Sequence, residues 1–396
     1  MCQSYFNPYR QTTPQWDNQH NSAFESTDIL HVHRSLDEYS PTPLISLPSL
    51  ANQLSVRRIL VKDESHRFGL KAFKALGATY AIYRFLQGHV TDDSGYFPDA
   101  REFYRSTDAI QPGMFTFCTA TDGNHGRAVA WVARKLRQQA VIYIPRGTAR
   151  ARIDNIAVEG AQVEIVNGSY DDAVARVAVD AQKNGWQIIS DTSWPGYTEI
   201  PRWIMAGYTT LFKEIHEVQG AEEVDMVFVQ AGVGSLAAAA AWYYNKASGA
   251  PRAKLIAVEP TEADCLLESI LSNYGNPSPT KGRLNSVMAG LNCGIPSLVA
   301  WPYVKLGFDM FITVTDDSCI NAMRLYYYPH KNDSRIVSGE SGAAGLAALM
   351  NLCENESLVA ARKALGITSD STVLLINTEG DTDPVHFNKV IAIEPQ

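Results

Sequence analysis

From Arg57 onward the chain alternates short β-branched or aliphatic runs with longer helix-favouring stretches. No other feature limits the fold as strongly. Short runs of that kind separated by longer helical stretches read as βαβ units and a mainly parallel sheet. The strand candidates are Ile59–Lys62, Phe115–Thr119, Ala140–Ile144, Gln162–Val166, Gln187–Ser190, Val224–Gln230, Lys254–Val258, Met310–Val314 and Thr372–Ile376. The expected fold class is therefore α/β, with mainly parallel sheets flanked by helices. A chain of 396 residues is long enough for two such units. Asp92–Asp108, charged and carrying Gly and Pro, reads as a surface excursion, and Pro195-Gly196 breaks the pattern again. Between the breaks, helices are expected at Gly126–Leu136, Arg150–Val158 and Tyr170–Lys183. This predicts a smaller inserted domain over residues 92–195 and a larger domain from 1–91 and 196–396. Residues 1–45 are polar and irregular, ending in the extended Pro41-Thr42-Pro43 segment.

The formal charge of −8, without runs of Lys and Arg, argues against a nucleic-acid surface and favours a small-molecule substrate. The N-terminal MCQSYFNPYRQTTPQWDNQ lacks a basic start followed by an apolar core. The longest apolar run, Leu236–Tyr244, is far too short to span a bilayer. A soluble, cytoplasmic protein without a membrane partner is the expectation. Six cysteines, Cys2, Cys118, Cys265, Cys293, Cys319 and Cys353, form no CxxC pair, so neither a zinc site nor a disulfide scaffold is indicated. Cys265 and Cys293 bracket one loop-rich region where they can meet.

Four stretches can carry chemistry. In FGLKAFKALGA, Phe73 and Lys74 precede small residues at a helix start, which leaves room for a flat cofactor. An amine held there can form a Schiff base with a carbonyl cofactor, or it can be an ordinary surface lysine, with Lys71 as a rival amine. Thr121-Asp122-Gly123-Asn124-His125-Gly126 follows a strand and precedes a helix, where α/β sheets place ligands. Its glycines let backbone approach a ligand, Asn124 offers donor and acceptor, and Asp122 can move a proton, although an Asx turn capping the helix explains the same residues.

Gln230-Ala231-Gly232-Val233-Gly234-Ser235 is again strand, glycine-rich turn and helix, a nest of amides suited to phosphate with the Ser235 hydroxyl as an extra donor. It also fits G-x-G-x-x-A, and Glu259 ends the next strand where a ribose-binding acid would stand. A dinucleotide site, in a dehydrogenase or a nucleotide-sensing regulator, is the competing reading. In Asn377-Thr378-Glu379-Gly380-Asp381-Thr382-Asp383, Thr378 can hydrogen-bond a ring nitrogen, while the carboxylates match no calcium-loop spacing, so no metal is expected. Ser338-Gly339-Glu340-Ser341-Gly342 reads as structural packing.

Taken together and in this order, FGLKAFKALGA, ATDGNHG, QAGVGS and NTEGDTDP resemble the fold type II, tryptophan-synthase-β-like pyridoxal-phosphate enzymes, and among them the diaminopropionate ammonia-lyase family. The resemblance runs from about Pro41 to the C-terminus. It implies pyridoxal 5′-phosphate in the cleft between two domains, with Lys74 as the Schiff-base lysine and Asn124 beside the ring hydroxyl. Gly232, Val233, Gly234 and Ser235 become the phosphate cradle and Thr378 the ring-nitrogen partner. It further implies an amino-acid lyase that eliminates ammonia from 2,3-diaminopropionate, and a homodimer. Where the broader fold carries Ser or Thr, this chain has Asp122, which with Asp191 can hold a substrate ammonium group. A serine/threonine dehydratase should not need Asp122. A lyase of another β-substituted alanine, such as O-carbamoylserine, and a non-catalytic descendant are further rivals. Lys71 stands where an uncharged residue is expected near the cofactor, an added cation able to redirect substrate choice.

Overall fold

The computed structural model describes residues 2–16, 21–90, 97–105, 110–121, 123–218, 224–246 and 252–393. Asp122 lies outside them. Of the excursion expected over Asp92–Asp108 only 97–105 are described, with a helix at Ala100–Arg105. The strands are β1 (Ser4–Phe6), β2 (Leu44–Ser46), β3 (Arg58–Asp63), β4 (Thr116–Ala120), β5 (Gln139–Pro145), β6 (Gln162–Val166), β7 (Gln187–Ile188), β8 (Met226–Gln230), β9 (Lys254–Pro260), β10 (Met310–Val314) and β11 (Thr372–Asn377). They form a seven-stranded sheet in the order β1-β10-β9-β8-β11-β3-β2 and a four-stranded sheet in the order β6-β5-β4-β7. Every pairing is parallel except β1 with β10 and β2 with β3.

Those two antiparallel edge strands were not expected, because residues 1–45 show no period. Three residues are too few to show one; they pair because a neighbouring edge offers unpaired backbone groups. The expected strand at Gln187–Ser190 stops at Ile188, and the chain continues as a loop to Asp191.

Alternate residues of the central strands enter different cores, which is why their sequences are apolar without interruption. Val227, Val229, Leu374 and Ile376 join the core with helices Glu199–Glu217 and Ser235–Lys246, whereas Met226, Phe228, Val373 and Leu375 join that with helix Glu340–Glu354. Both faces of the larger sheet are covered. Among the described residues no helix is long and apolar enough to cross a membrane.

Helix Lys74–His89 crosses helix Glu199–Glu217 where both lack a side chain. A Cβ on Gly207 would lie 2.5 Å from the Leu76 carbonyl oxygen, and one on Gly77 would lie 2.6 Å from the Tyr208 ring. The two glycines thus set how close the helices come. His33, fully buried, bridges the crossing, with Nε2 2.8 Å from the Leu76 carbonyl and Nδ1 2.7 Å from the Thr210 hydroxyl. A carbonyl only accepts, so Nε2 carries the proton and Nδ1 accepts from Thr210. Burial lowers the His33 pKa to about 4, which keeps the ring neutral.

Candidate active site

Loops from the C-terminal ends of strands in both sheets line one cleft of about 650 Å³. Phe73, Lys74, Asn124, Asp191, Gly232–Ser235 and Thr378 all reach it. The role assigned to Asp122 falls on a residue that is not described. Lys71 does not line the cleft: its half-exposed side chain turns outward to Asp381, 2.7 Å away. The added cation expected beside the cofactor is therefore in a half-exposed ion pair outside the cleft lining.

Two distant segments are stitched together to present Lys74. Ala72 and Glu379 form an antiparallel bridge, the Gly380 amide donates to the Lys71 carbonyl (2.9 Å), and the Phe73 amide donates to the Thr378 carbonyl (3.2 Å). Lys74 then opens its helix with Nζ 2.5 Å from Asp191 Oδ2. Burial alone would raise the Asp191 pKa, but the Lys74 charge, helped by His125, holds it down at about 2. The pair is an ammonium–carboxylate contact between the two sheets' loops.

The Gly232–Ser235 turn links β8 to helix Ser235–Lys246. Gly234 sits at φ +98°, a conformation that side chains resist, and a Cβ on Gly232 would come 2.7 Å from Cys293 Sγ. The first amides of the helix have no intrahelical acceptor, and with the helix dipole they make an anion cradle. The Ser235 hydroxyl, expected as a further donor to that anion, instead donates to the Asp191 backbone carbonyl at 2.6 Å. It ties the cradle to the segment carrying Lys74's partner.

Asn124 opens helix Asn124–Lys135 and donates through Nδ2 to Glu379 Oε2 at 2.5 Å. The loop before it is shaped by Thr121, whose hydroxyl oxygen accepts from the Gly123 amide (2.9 Å) and the Gly126 amide (3.1 Å). Gly126 serves packing rather than ligand approach: a Cβ there would meet Thr121 Cγ2 at 2.3 Å and Ile142 Cγ2 at 2.6 Å. His125 is buried with Nε2 on the Ile189 carbonyl, and burial lowers its pKa. Thr378 follows β11 with Oγ1 accepting from Gln230 Nε2 at 3.0 Å. That bond occupies only the oxygen, so the hydroxyl proton remains to be donated into the cleft.

The rival dinucleotide site loses its acid. Glu259 is fully buried, and its carboxylate accepts from the Leu266 and Leu267 amides at 2.7 and 2.9 Å, capping helix Cys265–Leu271. Fully buried and absent from the cleft lining, that carboxylate is not presented to a ribose. Cys265 and Cys293 both approach Gly232, and neither is in a disulfide. Among the described residues no group of His, Cys, Asp or Glu comes together as a metal site.

Sequence reasoning missed other cleft residues. Glu340, read as packing, lines the cleft with its carboxylate hydrogen-bonded to His386, and that bond raises the His386 pKa. Arg152, from the smaller sheet's helix Arg150–Ala157, approaches Glu340 across the cleft at 3.7 Å. The glycines around Glu340 were a signal that backbone packs closely there; nothing local marked Arg152 or His386.

An amine, an anion cradle and a hydroxyl donor facing one cleft lined by loops of both sheets define an enzyme that binds a phosphorylated carbonyl cofactor. Residues 36–379 match the family described as pyridoxal-phosphate dependent enzyme, and the chain belongs to that family. Within it, the chain is similar to the diaminopropionate ammonia-lyase of Escherichia coli (strain K12), 41% identical over 361 residues that cover 91% of this chain and 89% of the relative. The holo structure of the Escherichia coli enzyme superposes with a TM-score of 0.88 at 38% identity, covering 99% of this chain and 96% of that one. A second structure of that enzyme, in complex with an aminoacrylate-PLP azomethine reaction intermediate, gives a TM-score of 0.84 at 36% identity over 99% and 97% of the two chains.

Proposed function

We propose that this protein is a pyridoxal-phosphate-dependent ammonia-lyase that acts on 2,3-diaminopropionate by α,β-elimination, giving pyruvate and ammonia. The observation that carries the proposal is the Lys74–Asp191 pair, 2.5 Å apart in the cleft that also holds the anion cradle. The residues fit the cofactor: Gly232, Val233, Gly234 and Ser235 would hold its phosphate through backbone amides, Thr378 would donate to its ring nitrogen, Asn124 would meet its ring hydroxyl, and Phe73 would flank it. When bound, the cofactor supplies an electron sink for the charge left at the substrate's Cα.

The chain's own residues supply the proton movements. Lys74 would hold the cofactor through its amine, and with substrate in the cleft that amine would take the Cα proton of the L-isomer. Asp191, released from Lys74, holds a substrate ammonium group. A β-amine leaves only when protonated, and Asp122 is assigned to supply that proton and to take the Cα proton of the D-isomer. We further assign residues 92–195 to a smaller inserted domain and 1–91 with 196–396 to the larger one, and expect a cytoplasmic homodimer.

The test measures pyruvate formation from both isomers of diaminopropionate and from serine. Lys74→Ala abolishes turnover. Asp122→Asn keeps bound cofactor but loses about 10²–10⁴-fold in rate, the D-isomer more than the L-isomer. Wild-type preference for serine overturns the substrate assignment, and borohydride labelling of Lys71 in place of Lys74 overturns the site.

A further inference from the structure

The turn that delivers Lys74 has a backbone that residues with a Cβ resist. Phe68 lies at φ +49° and Lys71 at φ +60°, with Gly69 at φ +72° between them. Such a backbone persists only where the surroundings over-determine it. Here the surroundings are a charge network with no access to solvent. Arg67, fully buried, donates from Nε and Nη2 to the two Glu64 oxygens, each at 2.8 Å, and from Nη1 and Nη2 to the two Glu214 oxygens, each at 2.8 Å. Its Nη1 also reaches the Ser40 carbonyl (3.3 Å) and its Nη2 the Thr42 hydroxyl (3.2 Å). Lys62 donates to Glu214 at 2.6 Å and to the Thr42 carbonyl at 2.7 Å, so two cations meet two carboxylates.

Buried ion pairs gain little net stability over apolar residues of the same shape, since desolvation opposes the Coulomb attraction. Their directionality is what an apolar cluster cannot reproduce. A guanidinium in bidentate contact with two carboxylates fixes both the position and the orientation of the arginine that bears it. Glu214 lies on helix Glu199–Glu217, the helix that Gly77 and Gly207 hold against helix Lys74–His89. Arg67 thereby references the turn to the same body that seats the helix, and the Leu70 amide closes the turn on the Arg67 carbonyl at 2.9 Å.

We propose that Arg67, gripped by Glu64 and Glu214, is a positioning residue for Lys74: it holds the strained 67–71 turn in the one conformation that brings the Lys74 amine to Asp191 beside the anion cradle. The proposal rests on Lys74 being the cofactor-bearing amine. Arg67 touches neither the cleft nor the substrate, and its effect is read through Lys74.

The experiment compares wild type, Arg67→Lys, which keeps the charge but loses the fork, and Leu365→Ala, a cavity in the core on the far side of the larger sheet. Pyridoxal-phosphate affinity, the visible band of the lysine adduct and borohydride labelling of Lys74 are measured beside the Tm of the cofactor-free chain. Arg67→Lys should weaken cofactor affinity and slow Lys74 labelling by about 10- to 100-fold, the effect of displacing a reacting group by a fraction of an ångström. Leu365→Ala should lower Tm and leave affinity and labelling at wild-type values. Unchanged affinity and labelling in Arg67→Lys overturns the proposal, as does an equal loss in Leu365→Ala. If Arg67→Lys shows no cooperative unfolding, Glu64→Gln, which keeps shape and removes one charge, is read by the same criteria. Absence of label on Lys74 in the wild type instead refutes the reading of Lys74 itself.

Discussion

Lowering the pH should weaken the seat of the Lys74 helix through a single imidazole. His33 holds the Leu76 carbonyl and the Thr210 hydroxyl at the Gly77–Gly207 crossing, and both bonds are made by the neutral ring. A second proton would enter on Nδ1, place a charge where burial forbids it and displace the Thr210 donor. Burial is the main reason that the folded pKa is about 4, with the Arg67 and Lys213 charges adding to it and the Leu76 bond and Glu214 opposing it. The unfolded chain takes up this proton near the ordinary 6.5. Between those values the unfolded state binds more protons, so stability falls as pH falls, and it levels off below the folded pKa. The full gap is worth about 3 kcal/mol, of which about 2 kcal/mol is lost between pH 7 and pH 5. His33→Gln keeps a donor to the Leu76 carbonyl and cannot titrate. Urea unfolding of both proteins at the two pH values should give a wild-type slope steeper by that amount, since carboxylates contribute equally to each. NMR of the His33 ring, identified by its loss in the variant, should show no titration above about pH 5. A ring midpoint near 6.5, or equal slopes in the two proteins, refutes the argument.

The other predictions concern the same site. Gly207→Ala puts a Cβ 2.5 Å from the Leu76 carbonyl oxygen, a backbone atom that moves only with its helix, and should cost about 1–3 kcal/mol in denaturant unfolding together with weaker labelling of Lys74. Wild-type stability and labelling would show that the crossing tolerates separation. Asp191→Asn removes a carboxylate held at a pKa of about 2 by Lys74; its contribution is present above the unfolded pKa of 3.8 and is lost as pH falls toward 2. The cofactor-free variant should be less stable at neutral pH by about 2 kcal/mol, with the difference vanishing in acid; a difference independent of pH contradicts the ion pair. Gly234→Asp places a side chain at φ +98° and a carboxylate against the anion cradle, and should abolish pyridoxal-phosphate binding measured by absorbance. Retained binding would place the phosphate elsewhere.

Much of this protein is local in origin and so can be read along the chain. β8, β10 and β11 betray themselves because they are buried on both faces and apolar over most of their length, and the parallel pairing follows from the helical crossovers between strands. Lys74, Asn124, the Gly232–Ser235 turn and Thr378 were legible for a related reason. Asn124, the Gly232–Ser235 turn and Thr378 follow closely on strand ends, where a parallel sheet gathers loops at one edge, and Lys74 opens the helix that follows β3. What the chain order cannot show is which side chain a buried polar group chooses, because that partner is supplied by packing between segments far apart in sequence. Glu259 looked like a ribose ligand until helix Cys265–Leu271 presented its amides, and Lys71 looked like a cofactor neighbour until the bridge to Glu379 turned it toward Asp381. The three-residue strands β1 and β2 carry no period and exist only because β10 and β3 offer open edges. Arg67 and Glu214, and likewise His33 and Leu76, are ordinary residues in the sequence; folding alone makes them neighbours, and burial, which strengthens a satisfied hydrogen bond and penalises an orphaned one, makes those contacts obligatory.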